Sequence, residues 1–144
     1  MRLIYNGKLP SANDLVQLNR VNRYAGAGLK KKYTDSVAAA FRPQACGKRF
    51  KGHCLVSVRF FEATNRRDDD NTISGLKYLL DGIVRAGIMP DDSKRYCHIA
   101  SVECFESDLI INGRKQDYVE VSITEDEKST TKGKTDKNDS KMRS

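Results

Sequence analysis

The densest chemistry in the chain lies in the run Arg66-Arg67-Asp68-Asp69-Asp70-Asn71. Three consecutive carboxylates repel one another and call for a cation to hold them together. In an extended segment Asp68 and Asp70 point the same way and Asp69 points away. Two carboxylates on one face suit a hard divalent cation such as Mg²⁺, which takes one or two of them and keeps most of its water. A second acidic pair, Asp91-Asp92, follows beyond the next apolar segment. That segment reads as a helix over 72–86, with Ile73, Leu76, Leu79, Leu80, Ile83 and Val84 at helical spacing. Such a helix is about 22 Å long. The two acidic groups therefore meet only if the chain after Pro90 folds back along the sheet. The other account of both groups is local. Acidic residues cap helices and complement the helix dipole, and Asp91-Asp92 suits a turn.

Lys77 falls on the same helix, where it can pair with Asp81, and Asp81 with Arg85, as surface ion pairs. Beside a metal site it would instead stabilise charge developing on a phosphate. Arg20, Arg23, Lys30, Lys31 and Lys32 bracket Tyr24 and Tyr33. This pattern suits either a phosphate-tracking surface with aromatic contacts or a solvated helix face. Cys46, Cys54, Cys97 and Cys104 include no CxxC pair. Two adjoin histidines, as His53-Cys54 and Cys97-His98, but neighbours on a strand face opposite ways and cannot share one zinc. Reduced, partly buried thiols and a cytoplasmic location are expected.

The elements that must position these groups follow from periodicity and punctuation. Strands are predicted at 2–5, 53–61, 96–105 and 117–123. Ser11 or Asn13 caps a first helix through Leu15, Val16 and Leu18, loosened by glycine between Tyr24 and Gly28. The helical pattern resumes over 30–41 and ends at Pro43 and Gly47, as one bent helix or two. Gly87 occupies a left-handed C-terminal cap of the 72–86 helix. Asn112-Gly113 suggests that the last two strands pair as a hairpin with a long connection. The order predicts an α+β fold, a mixed β-sheet with helices packed against it.

The chain has 144 residues, with a net charge of +7 that is unevenly spread. Residues 1–62 carry 12 Lys/Arg against 3 Asp/Glu, and residues 63–124 carry 8 against 11. A basic front half beside an acidic patch fits a protein that attracts polyanions and acts at one place on them. A domain over 1–124 is expected, followed by a disordered, charged tail over 125–144 that has little to bury. No stretch has the roughly 20 apolar residues of a membrane span, and the opening lacks the apolar core of a signal peptide. There is no Walker loop, GxGxxG or serine nucleophile motif.

The run Arg67-Asp68-Asp69-Asp70-Asn71, the helix with Lys77 and Leu79-Leu80-Asp81-Gly82-Ile83, then Ala86-Gly87-Ile88 and Asp91-Asp92, resembles the RusA family of Holliday junction resolvases. Gly7-Lys8-Leu9-Pro10-Ser11 with Asn13 is similar to the family's opening, and the resemblance spans residues 4 to 123. The chain departs from the short bacterial pattern by three extra residues between Asn71 and the lysine, a spacing usual in the phage and prophage branch. The resemblance implies a homodimer that binds four-way DNA junctions and nicks two opposed strands symmetrically. It implies Mg²⁺, replaceable by Mn²⁺, on Asp68, Asp70 and Asp92, with Asp91 in the acidic pocket and Lys77 as the functional lysine. Arg66 and Arg67, with Arg20, Arg23 and Lys30 to Lys32, are then the DNA-binding residues. The alternatives are a non-catalytic nucleic-acid-binding module whose acidic cluster is a helix cap, and a metal-dependent phosphohydrolase of small nucleotides.

Overall fold

A computed structural model describes residues 1–64 and 68–126. The elements in chain order are β1 (Arg2–Asn6), α1 (Ala12–Val21), α2 (Arg23–Ala45), β2 (Cys54–Glu62), α3 (Asp69–Ile73), α4 (Leu76–Arg85), β3 (Cys97–Glu106), β4 (Ile110–Ile111), β5 (Arg114–Lys115) and β6 (Tyr118–Glu125). The main sheet has the order β1-β6-β2-β3. β6 pairs antiparallel with β1 and with β2, and β2 pairs parallel with β3. The fold is α+β, with a mixed sheet covered by helices. None of the helices among the described residues is long and apolar enough to cross a membrane.

Strand alternation builds one face of the core. Cys54, Val56, Val58 and Phe60 of β2 point inward, and so do Val119, Val121 and Ile123 of β6. Val121 stands between Leu3 of β1 and Val58 of β2, and Val119 between Tyr5 and Phe60, so these apolar rows run unbroken across three strands. Val37 and Phe41 of α2, with Leu79 and Ile83 of α4, close the core from the other side.

The parallel β2–β3 pair needs a crossover, and α3 and α4 supply it. This overturns the expected hairpin between the last two long strands. β3 lies at the sheet edge beside β2, while β6 returns to the centre between β1 and β2. The turn chemistry at Asn112-Gly113 acts only on the small β4–β5 hairpin. Both residues take positive φ there, 54° and 77°, as a tight hairpin turn requires.

Three helix boundaries also differ from expectation. The chain breaks between α1 and α2 at Asn22, whose extended backbone ends one helix while its side chain accepts the Tyr24 N–H at 2.7 Å. Gly26 and Gly28 lie inside α2. Pro43 also lies inside α2, because its fixed φ is helical and only one hydrogen bond is forfeited. Cys46 takes the left-handed cap. The 72–86 helix starts earlier, at Asp69, and is interrupted at Ser74-Gly75. There the Ser74 hydroxyl donates to the Asn71 carbonyl at 2.6 Å. A side chain at Gly75 would press on Leu9.

Other signals hold as expected. Ser11 caps α1 in a reciprocal capping box with Asp14. Gly87 has φ of 80°, and the Ile88 N–H reaches back to the Ile83 carbonyl at 3.1 Å. The ordered chain runs past the expected domain end at 124: Glu125 belongs to β6, and the Asp126 N–H donates to the His53 carbonyl at 2.7 Å. Residues 127–144, which carry most of the predicted tail, lie outside the described residues.

α2 and α4 touch at Gly82. A Cβ there would stand 2.4 Å from Val37 Cγ1 and 2.6 Å from Val37 Cβ. Gly82→Ala should destabilise the fold by roughly 1–3 kcal/mol despite its better helix propensity, because overpacking outweighs it. Gly28→Ala has open space and should stabilise by roughly 0.5–1 kcal/mol. Urea unfolding midpoints of the two variants check the pair of signs.

Candidate active site

The acidic segment enters α3 at Asp68, which is extended (φ −68°, ψ 155°) and makes no side-chain capping hydrogen bond. Its carbonyl accepts the N–H groups of Asn71 and Thr72 at 3.0 and 3.1 Å. Asp68, Asp69 and Asp70 are all exposed. Asp70 Oδ1 accepts the Asn71 N–H at 3.0 Å, and Asn71 Oδ1 accepts from Asn13 Nδ2 at 3.3 Å. The amide pair joins the first turn of α1 to the acidic segment. Arg66 and Arg67 lie outside the described residues.

Behind this segment sits a carboxylate that periodicity and motif had not singled out. Glu62 ends β2 on the core-facing parity of Cys54, Val56, Val58 and Phe60, and it is 9% exposed. Its Oε1 accepts the buried Thr72 hydroxyl at 3.2 Å. The available signal was that parity: an ionisable residue in an inward position of a strand, next to an acidic run.

The chain after Pro90 does fold back. Asp92 Oδ2 lies 2.9 Å from Lys77 Nζ, fifteen residues earlier and in the first turn of α4. Asp81 Oδ1 lies 3.1 Å from the same ammonium. Hydrogen bonds to Asp92 and then Asp81 hold the Lys77 pKa above the ordinary lysine value. Lys77 is therefore a fixed positive charge near neutrality and no proton acceptor. Asp91 is held below the ordinary carboxyl range, first by a hydrogen bond from Ser93 and with a contribution from Lys77. The expected Lys77–Asp81 pair is present. Arg85 pairs with Asp35 of α2 in place of Asp81.

The carboxylates of this cluster face a cleft of about 540 Å³ between α2 and α4, whose lining does not include Lys77. Asp81, Val84, Arg85, Asp91 and Asp92 form one wall and Ala27, Lys30, Lys31 and Thr34 the other. Lys31 also holds Asp35 at 2.8 Å, and Lys32 turns to the Tyr33 ring, 5.4 Å from its centroid. Arg20 closes the last turn of α1, and Arg23 opens α2 with its guanidinium 5.3 Å from the Tyr24 centroid. The structure thus gathers Asp91 and Asp92 with Lys30 and Lys31, while Lys77 reaches the cleft only through its bonds to Asp92 and Asp81. Asp68 and Asp70 are not in the cleft lining; they precede Lys77 by a short α3 and the Ser74-Gly75 turn.

Among the described residues, no three His, Cys, Asp or Glu side chains gather closely enough to hold a metal ion. The donor chemistry of Asp68 and Asp70 is hard oxygen and exposed, and Asp68 makes no capping bond, which fits a cation that needs few protein ligands. Asp92 meets Lys77 instead of the other two carboxylates. The thiols are remote in character. Burial pushes Cys54 up to about 11 and raises Cys97, and His53 pairs with Asp126 at 3.3 Å. No protein-family model and no curated protein matches the chain.

The Lys77 cluster makes a signed pH prediction. A raised lysine pKa contributes stability that is complete below the unfolded value and is lost as pH rises through the folded one. Lys77 is more than half exposed, so solvent screening limits the gain to under about 1 kcal/mol. Wild type should therefore lose slightly more stability than Lys77→Met as pH rises above 10.5, the ordinary lysine value. Parallel urea titrations at neutral and alkaline pH measure that difference.

Proposed function

We propose that the protein is a Mg²⁺-dependent, structure-selective endodeoxyribonuclease of the RusA type, resolving four-way DNA junctions by paired symmetric nicks. The observation that carries this reading is the return of Asp92, held by Lys77, to line a cleft whose opposite wall is Lys30 and Lys31. Lysines and carboxylates across one groove are what a phosphodiester backbone and a cation together require.

In this reading Asp68 and Asp70 would hold the cation, Mg²⁺ or Mn²⁺, and Asp92 would have to leave Lys77 to join them, with Asp91 adding negative charge beside it. The bound cation would supply Lewis acidity toward the phosphodiester and a more acidic attacking water. Lys77, kept protonated by its neighbours, would neutralise charge that builds on the phosphate. Its bridge to Asp92 holds both side chains until a phosphate or a cation competes for them. Lys30 and Lys31 would seat the DNA backbone from α2, with Lys32, Arg20 and Arg23 along the same helices and Arg66 and Arg67 beside the acidic run. A homodimer would present two such sites to two strands of one junction. Free thiols, two of them buried, fit a cytoplasmic protein.

Reading the acidic run as a mere helix cap has less support, since Asp68 occupies the cap position without making the capping bond. Asp70→Asn separates the two. Asparagine retains an oxygen for the Asn71 N–H but removes the anionic ligand. Folding and junction binding should persist while Mg²⁺-dependent nicking of a synthetic mobile junction falls to background, as it should for wild type in EDTA. Retained cleavage would return Asp70 to a structural role. Neutralising Lys30, Lys31 and Lys32 together should weaken binding to junctions of any sequence. It should also flatten the slope of log affinity on log salt by about 0.9 per lost phosphate contact. Binding isotherms at several salt concentrations measure it, and an unchanged slope marks a solvated helix face.

A further inference from the structure

The corner between α1 and α2 projects apolar surface outward. Val21 is 83% exposed and Tyr24 is 72% exposed, more than any other large apolar side chain described. The corner is built rather than loose. Asn22 receives the Tyr24 N–H on its side chain, donates its own N–H to the Leu18 carbonyl, and accepts the Ala25 N–H on its carbonyl. Asn19 of α1 packs against the backbone of Gly26 so tightly that a Cβ there would overlap it. Nothing in the core explains an aromatic ring held so far into solvent, since burying it would be favourable by a few kcal/mol in an ordinary fold.

What surrounds the ring is positive. Arg23 lies over it, in the half of the chain that carries 12 Lys/Arg against 3 Asp/Glu. The ring also continues the cleft. Ala27, Lys30, Lys31 and Thr34 line the α2 wall, and Tyr24 lies three residues before Ala27 and seven before Lys31 on that same helical strip. At about 1.5 Å per residue, Tyr24 stands roughly 10 Å along the helix from Lys31. A flat aromatic surface beside the Arg23 guanidinium, on the path of a lysine-lined groove, matches a polyanion that carries stacked rings. We infer that Tyr24, with Val21 beside it, is a base-stacking corner that engages unpaired or unstacked bases of branched DNA and so contributes the selection of branched over linear duplex. This rests on the reading of the cleft as a DNA site.

The test is equilibrium binding in EDTA, where no cleavage is needed. The ligands are a four-way junction carrying 2-aminopurine at the branch point and a linear duplex of the same composition. Wild type, Tyr24→Ser and Tyr24→Phe are compared, with helix content checked by circular dichroism. Tyr24→Ser should bind the junction about 10-fold or more weakly, the size of one lost base stack. Its duplex affinity should not change, and the 2-aminopurine response seen with wild type should disappear. Tyr24→Phe should behave as wild type. Equal losses on junction and duplex, no loss on either, a Phe variant as weak as Ser, or no DNA binding by wild type would each overturn the inference. So would a Tyr24→Ser loss confined to phosphatidylserine vesicles, which would mark a membrane-facing corner. The nuclease reading fails separately: Tyr24-dependent junction binding without Mg²⁺-dependent nicking by wild type would keep the corner and remove the enzyme, and nicking unaffected by Tyr24→Ser would do the reverse.

Discussion

The contact on which the site depends is the one between Gly82 and Val37. With no side chain at 82, α4 settles onto α2 until backbone meets the valine methyls. That approach fixes the two helices side by side over the same sheet face. It also decides which residues look at each other beyond the contact: Thr34, Lys31, Lys30 and Ala27 from α2, and Asp81, Val84 and Arg85 from α4. Helix packing of this kind has few stable solutions, because ridges of side chains must enter grooves. The cleft is therefore a consequence of core packing, and its lining residues inherit the rigidity of the buried pair below them.

The electrostatics of the cleft follow from its two walls belonging to different halves of the chain. The α2 wall comes from the basic half and the α4 wall from the acidic half. Each wall also keeps internal compensation, with Lys31 on Asp35 and Lys77 between Asp81 and Asp92. These pairs are partly exposed, so each contributes little to stability. Their effect is on state: hydrogen bonding to Lys31 lowers the Asp35 pKa, hydrogen bonds to Asp92 and Asp81 raise that of Lys77, and each side chain is held in place by its partner. A groove lined only by lysines would bind any polyanion. Interleaved carboxylates lower that general affinity and favour ligands that bring their own cation.

Much of this was legible from sequence, and for physical reasons. Ser11 with Asp14, the apolar spacing from Ile73 to Val84, and Gly87 are local signals, and local signals need no knowledge of the rest of the chain. The alternation in β2 and β6 gave their faces. Pairing was harder. Asn112-Gly113 specifies a turn but not how many strand residues flank it, and the parallel pairing of β3 with β2 is set by the crossover through α3 and α4, well before β6 returns to the centre. Glu62 was hidden because it closes a strand of apolar residues, where its inward parity matters more than its type. The break at Asn22 was missed because Gly26 and Gly28 are louder punctuation, yet Gly26 is there to admit Asn19 and not to end a helix.

The approach of Asp92 to Lys77 could not be read from spacing alone, since a straight helix would have carried the two apart. What brings them together is the Gly87 cap. Its left-handed backbone turns the chain, Ile88 and Met89 bury at once, and the Phe50 N–H takes the Ile88 carbonyl at 2.8 Å. With Ile88 and Met89 anchored, the short turn through Pro90 has only one way to reach the start of β3, which lies parallel to β2 and must begin where β2 begins. Asp91 and Asp92 sit on that return path, so the parallel strand pair and the glycine cap together bring Asp92 onto a lysine in the first turn of α4. Asp92, rather than the more exposed Asp91, makes the bond, and its charge adds to burial in raising the Cys97 thiol. The site is thus positioned by topology first and by side-chain attraction second.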